Sequence, residues 1–293
     1  MNSQSYTEFL RALGHRVVPV GDFAWYDANP LFYLSAPPHR MYQPTQEQLR
    51  AALRTLPCLG VRFAAPLDGE GKLSYQIVCS ARDYGLEKLS GNTRSKVRRG
   101  LKRCDVGPVP FATIASAGRQ AHQDTVARQG RDGVLGGDRW DRFFAACERT
   151  PGLEGWGAWH GETLAAFLVT VTFEDAVEFL LARSCNDTLG AYPNNALIFR
   201  VTEEMLMRRR VNEITFGLES LEPVAPLDQF KFSMGFERKP LRQRIVFRPL
   251  LAALLRQPAI RSLVHRWTSQ PGERAVFWRK AAGILRFAEQ SGR

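Results

Sequence analysis

Apolar positions recur along this chain in two rhythms, and the rhythm changes near residue 156. Ahead of that point, short β-branched and aromatic runs alternate with helical spacings. Residues 16–20 (RVVPV), 31–34, 58–63 and 74–78 read as strands. Thr45 stands as an N-cap before residues 46–55, where Leu49 and Leu53 lie one turn apart. Asp83 opens a helical stretch through Leu89, and Asn92 or Thr93 is the expected cap of a basic helix running to about Cys104. Gly107-Pro108-Val109-Pro110 reads as a hinge-like break. Helical spacing resumes over 115–129 and 138–149, joined by the Gly-rich segment RDGVLGGD at 131–138.

From Trp156 onward the period is that of a sheet. Residues 155–159, 163–173 and 176–184 are three strands, with turns at Gly161-Glu162 and Glu174-Asp175, and an antiparallel meander is their simplest arrangement. A loop over 186–194 leads into a helix over 195–210, where Leu197, Val201 and Met205 repeat every four residues and mark an inward face. Arg208, Arg209 and Arg210 fall in its last turn, where interaction with the negative end of the helix explains them. The strand that follows, 213–216, is expected to pair in parallel with the meander, because a helix intervenes. A short helix over 227–234 and a closing strand over 241–247 complete the pattern.

Composition narrows the function classes. With 44% apolar and 24% charged residues among 293, the chain is globular rather than fibrous or disordered. The apolar run LLAALL at 250–255 is far short of the roughly 20 residues a membrane span needs. The first 20 residues carry polar groups throughout and do not read as a secretory leader, so a cytoplasmic location is expected. Five cysteines and five histidines are scattered without ligand spacing, which argues against a metal site. The net charge of +11 is concentrated in two stretches: residues 90–103 and residues 249–293 each carry +6, and the remainder is nearly neutral. Each is either a solvated face or a surface for an anionic partner, and neither holds a recognised nucleic-acid motif.

The order of elements resembles the GNAT acyltransferase fold. Three segments sharpen the likeness toward the FemABX-related branch: Tyr192-Pro193-Asn194-Asn195-Ala196-Leu197, Glu213-Ile214-Thr215-Phe216-Gly217, and Phe230-Lys231 with the Gly235 that follows. Thr93-Arg94 and Arg98-Arg99 on the basic helix resemble the N-terminal half of such proteins. The resemblance spans about residues 15–249. It implies an α+β, tandem GNAT-like fold of mixed central sheets flanked by helices: a degenerate first domain at 1–107, a catalytic domain at 108–249 and a basic helical extension at 250–293. It also implies an N-acyltransferase that moves an acetyl, longer acyl or aminoacyl group from a thioester or a tRNA to an amine. The competing class is a noncatalytic binding module for nucleic acid or an anionic membrane surface.

Two residues are the candidates for chemistry. By the resemblance, Lys231 lies near the reaction centre, where an ammonium stabilises a developing oxyanion; the alternative is a snorkelling side chain between Phe230 and Phe232. Glu178 is the one acid on an apolar strand, and partial burial raises such a carboxyl toward the range of a general base. Alternation places it with Leu180 and Ala182, so it is either that base or an edge residue paired with Arg183. The donor is expected at Leu189, Gly190, Tyr192, Asn194 and Asn195, beside the start of a helix whose amides suit a phosphate. The usual GNAT phosphate loop is absent there, and Pro193 removes one amide, which puts acyl-CoA binding in the ordinary manner in doubt and leaves aminoacyl-tRNA as the other donor. Arg94, Arg98 and Arg99 are the expected anion-binding residues. Trp267 and Trp278 in the extension fit either packing on the catalytic domain or a peripheral place at the inner face of a membrane.

Overall fold

The computed structural model describes residues 1–29, 31–129, 135–174, 176–220, 225–255 and 257. Asp175, residues 131–134 of the Gly-rich segment, and Trp267 and Trp278 of the extension lie outside them.

In chain order the elements are α1 (Ser3–Ala12), β1 (Val17–Val20), β2 (Phe23–Asn29), β3 (Phe32–Ala36), α2 (Gln46–Thr55), β4 (Gly60–Ala65), β5 (Lys72–Cys79), α3 (Gly91–Arg103), β6 (Asp105–Pro108), α4 (Phe111–Ala117), α5 (Arg119–Gln129) and α6 (Asp138–Arg149). There follow β7 (Leu153–His160), β8 (Thr163–Thr172), β9 (Val177–Ser184), α7 (Pro193–Glu203), β10 (Ile214–Leu218), α8 (Ala225–Ser233), β11 (Glu237–Phe247) and α9 (Pro249–Leu255). The architecture is α+β, mixed sheet flanked by helices.

Contacts divide the chain into two units. The first gathers Met1–Leu13, Ile77–Gly217 and Val224–Arg238; the second gathers Gly14–Gln76, Leu218–Pro223 and Lys239–Arg293. A cut at residue 107 does not coincide with this division, because residues 77–107 share the first unit with the segment that follows them. The expected break at Gly107-Pro108 is instead the edge strand β6, antiparallel to β7 through Asp105↔Trp159 and Pro108↔Trp156. An edge strand tolerates a proline because its missing amide interrupts no second ladder.

In the first unit the strands run in the order β10-β9-β8-β7-β6. The expected meander is present: β7, β8 and β9 pair antiparallel, and β10 joins β9 in parallel. One face carries α4, α5 and α6, where Phe167 of β8 meets Trp140 and Phe144 at centroid distances of 6.1 and 6.2 Å. The other carries α7. Its Leu197, Val201 and Met205 are buried as the four-residue repeat requires. The helix starts two residues earlier than expected, with Pro193 at its first position, and passes at Glu204–Arg208 into a π-helical turn. Arg209 does not cap that end: it pairs with Glu154 at 2.6 Å and lies 5.5 Å over Trp156.

In the second unit the order is β1-β2-β3-β4-β11, with β3 and β4 parallel and the other pairs antiparallel. Trp25, Phe63, Leu49, Leu53 and Leu56 form its core. Thr45 closes a capping box with Gln48 at the start of α2, so the expected cap is the real one.

Candidate active site

The basic helix does not stand apart from the sheet. Ser90, rather than Asn92 or Thr93, caps α3, and its buried side is Thr93, Val97 and Gly100. Gly100 allows the closest approach: a Cβ there would meet the Tyr192 carbonyl at 2.6 Å and the Ala196 Cβ at 3.0 Å. That contact brings α3 against the start of α7, and with it two arginines. Arg99 lies 4.6 Å over the Tyr192 ring, and Arg103 Nη1 donates to the Gly190 carbonyl at 3.0 Å.

Between β9 and α7 the chain makes a 3-10 turn, Leu189–Ala191, and then places Tyr192 in the left-handed region at φ 61°. No side chain caps α7. The Asn194 and Asn195 amides therefore lack an intrahelical acceptor, as at any helix start. Leu189 and Gly190 are exposed. Asn194 Nδ2 donates to Ser184 Oγ at 2.8 Å, and Arg128 Nη2 donates to the same oxygen at 2.9 Å.

Asn195 faces inward and donates to the Met234 sulfur at 3.5 Å, while the Tyr84 hydroxyl donates to the Met234 carbonyl at 2.9 Å. Met234 closes the segment that begins Phe230-Lys231. Gly235 at φ 86°, with bonds from its amide to Phe232 and from Phe236 to Lys231, forms a Schellman end to α8. The glycine of that motif is thus a helix stop, and the stop is pinned to α7. Lys231 Nζ lies 3.0 Å from Asp228 Oδ1 and 5.4 Å over the Phe216 ring, with 14% of its side chain exposed.

Glu178 lies directly across from Val171 of β8 and Thr215 of β10 and shares their face. It is not on an edge: β9 has β8 on one side and β10 on the other. Nor does it keep company with Leu180 and Ala182, because a bulge pairs Val169 with Leu181 and Thr170 with Phe179 and leaves Leu180 as the extra residue. Arg183 Nε donates to His122 Nδ1 at 3.0 Å. Burial pushes the Glu178 carboxyl up to about 7.

Only two residue pairs, Ile214↔Val177 and Thr215↔Glu178, join β10 to β9. Glu178 is thus the last residue of β9 to pair with β10. Phe179 and Phe216, one residue further along each strand, point to the opposite face, where their rings meet at 5.1 Å. Lys231, over Phe216, is on that face. The structure therefore gathers the donor-turn residues with Arg99, and sets Lys231 and Glu178 on opposite faces of the β9–β10 pair. Arg98 is exposed beside Arg99 on α3. Arg94 turns back instead, donating to the Leu89 carbonyl at 3.0 Å, and holds the helix to the segment before it.

No family model matches this sequence, and no curated protein does. Solved structures do. FemX superposes with a TM-score of 0.60 at 11% identity, over 86% of this chain and 93% of its own. The fold is that of FemX.

The same fold also superposes on the C-terminal domain described as that of a lysylphosphatidylglycerol synthetase from Agrobacterium fabrum, with a TM-score of 0.57, 13% identity, and 86% and 90% of the two chains. L-PGS from Bacillus licheniformis matches at 0.54 and 12%, over 100% and 98%. Sequence patterning missed Arg103, Tyr84 and Ser184 at the site. Arg103 follows Arg99 by one helical turn, so the same periodicity that marked Arg99 reaches it. Tyr84 and Ser184 carry no such signal.

Proposed function

We propose that this chain is an acyltransferase that takes an acyl group from a phosphate-bearing donor at the Tyr192–Asn195 turn and passes it to an amine. The observation that carries this reading is the docking of α3 on α7, which sets Arg99 and Arg103 beside a helix start with open amides. Cations and helix-terminal amides converging on one turn suit phosphate oxygens.

An aminoacyl-tRNA is favoured over an acyl-CoA on two grounds. Pro193 leaves the turn one amide short of what a compact pyrophosphate would use, and exposed Arg98 and Lys102 continue the positive surface along α3. The lysyl product in the name of one structural neighbour agrees with an aminoacyl donor.

In the reaction, the acceptor amine approaches where the pairing of β9 with β10 ends. Glu178, with its raised pKa, takes the proton as nitrogen attacks the acyl carbonyl. The Lys231 ammonium, steadied by Asp228, stabilises the oxyanion from the opposite face; the intermediate then collapses, the donor ester C–O bond breaks, and the tRNA hydroxyl leaves with the proton that Glu178 had taken.

The test is a transfer assay with charged tRNA and, in parallel, acetyl-CoA and longer acyl-CoAs against a panel of amines. Transfer from tRNA alone is expected. Lys231→Met is expected to abolish turnover while donor binding persists, and Arg99→Ala with Arg103→Ala to raise KM about tenfold with a smaller change in kcat. Donor binding without transfer to any amine would move the chain to the binding-module class.

A further inference from the structure

A second polar cluster lies in the other unit and takes no part in the reading above. Arg62 of β4, Ser74 of β5, Gln243 of β11 and Glu219 meet through side-chain and backbone hydrogen bonds. Gln243 Oε1 accepts from both Nε, at 2.8 Å, and Nη2 of Arg62. The Glu219 carbonyl accepts from the same Nη2 at 3.2 Å. Gln243 Nε2 in turn donates to Ser74 Oγ at 2.7 Å and to the Glu219 carbonyl at 3.1 Å, and Ser74 Oγ donates to Glu219 Oε2 at 2.7 Å. Gln243 and Ser74 are buried, so the plane of the guanidinium is set by groups that cannot turn away.

Two features of Arg62 are left over from that network. Its Nη1, with two N–H donors, makes no hydrogen bond among the described residues. Among the described residues its charge also has no carboxylate within ion-pair distance, and the Glu219 carboxylate accepts from Ser74. Buried guanidinium groups are ordinarily matched by a carboxylate, since the cost of removing the charge from water is otherwise unmet. Desolvation here is strong enough to pull the Arg62 pKa down to about 10, with only Tyr26 and Glu219 acting the other way. Yet the side chain is partly rather than fully buried. Part of the side chain thus remains within reach of solvent.

We infer that Arg62 is the receptor of an oxyanion-binding site in the second unit, taking the carboxylate or phosphate of a small-molecule ligand on its Nη1 edge. The geometry suits the role. Nε and Nη2 are spent on holding the plane, and the free edge presents two donors to one anionic oxygen or to a pair. Glu219 opposes an anion by its own charge, which limits the affinity for a bare ion and leaves the rest of a ligand to supply contacts. The inference stands on this cluster alone and does not depend on acyl transfer.

The experiment is calorimetric titration of the full chain with inorganic phosphate and, separately, with acetate, each against chloride at matched ionic strength. Saturable binding of either oxyanion is expected; binding of phosphate alone, or of acetate alone, identifies which group the ligand carries. Arg62→Lys, which keeps the charge and loses the planar fork, is expected to weaken binding about tenfold, and Arg62→Met to abolish it. Should Arg62→Met fail to fold, Arg62→Lys decides. The variant Arg98→Ala/Arg99→Ala/Lys102→Ala, which removes the exposed cations of α3, is expected to bind as wild type. Absence of saturable binding in wild type, unchanged binding in Arg62→Lys, or loss in the α3 variant each overturns the inference.

Discussion

Glu178 is buried on β9, and burial pushes its carboxyl up to about 7 from the usual glutamate value of about 4.3. The folded chain therefore holds this proton more tightly than the unfolded one. Its burial costs nothing below about pH 4, where both states are protonated, and destabilises the fold progressively as pH rises toward 7. The full effect is on the order of 3 kcal/mol. Glu178→Gln is expected to be more stable than wild type at pH 8 and to lose this part of the slope between pH 4.5 and 7, as measured by urea unfolding at a series of pH values. An equal slope in the variant would mean that the carboxyl is hydrated. Gly100 makes a second residue-scale case. An alanine there gains about 1 kcal/mol in helix propensity, but its Cβ would stand 2.6 Å from the Tyr192 carbonyl, a backbone atom that cannot swing aside. Overpacking of this kind costs about 1–3 kcal/mol. Gly100→Ala is expected to destabilise and to weaken donor binding, both visible in denaturant midpoint and donor Kd.

At the scale of elements, α8 and α7 are coupled through Met234. Its carbonyl and sulfur are held by Tyr84 and Asn195, and Tyr84 also stacks on Phe199 of α7 at 5.5 Å. The Schellman end of α8 places Lys231 one helical turn from this anchor, so the anchor sets where the ammonium stands relative to the donor turn. Tyr84→Phe leaves the ring packing and removes the hydroxyl, which leaves the Met234 carbonyl unpaired at a cost of about 1–3 kcal/mol. Transfer by this variant is expected to show a lower kcat with KM for the donor unchanged, since the donor turn keeps its own contacts to α3. A change in KM alone would place the effect in the turn instead.

For the molecule as a whole, neither compact unit is a continuous stretch of chain. The first draws on Met1–Leu13, Ile77–Gly217 and Val224–Arg238, so residues 108–249 expressed alone would lack α1, the end of β5 and α3. The expected outcome is a fragment without a cooperative unfolding transition by circular dichroism; a folded fragment would show that α3 is dispensable to the sheet it covers. The distribution of charge belongs to this scale as well. Of the two +6 stretches, residues 90–103 form α3 and border the donor turn, which predicts donor affinity that falls steeply with ionic strength.

The strands of the meander, the inward face of α7, the Thr45 cap and the parallel return of β10 could all be read from the sequence, because each follows from local periodicity or from the length of a connection. What could not be read were the features set by distant neighbours. Gly107-Pro108 resembles a break because its residues are turn formers, yet β7 offers them a ladder and they become an edge strand. Alternation gave Glu178 the wrong companions because a bulge is invisible without its partner strand. Lys231 and Glu178 were legible as chemistry, but not as groups on opposite faces of the β9–β10 pair. Arg94 and Arg99 are alike in sequence, and only packing turns one toward Leu89 and the other onto Tyr192. Arg62 drew no notice in its strand, since an arginine between apolar residues is ordinary at an edge; it is the meeting of β4, β5 and β11 that buries its plane and leaves Nη1 open. Periodicity acts over a few residues and is carried by the chain itself. Burial, counter-charges and the face a side chain shares arise between segments far apart in sequence, and so belong to the tertiary structure.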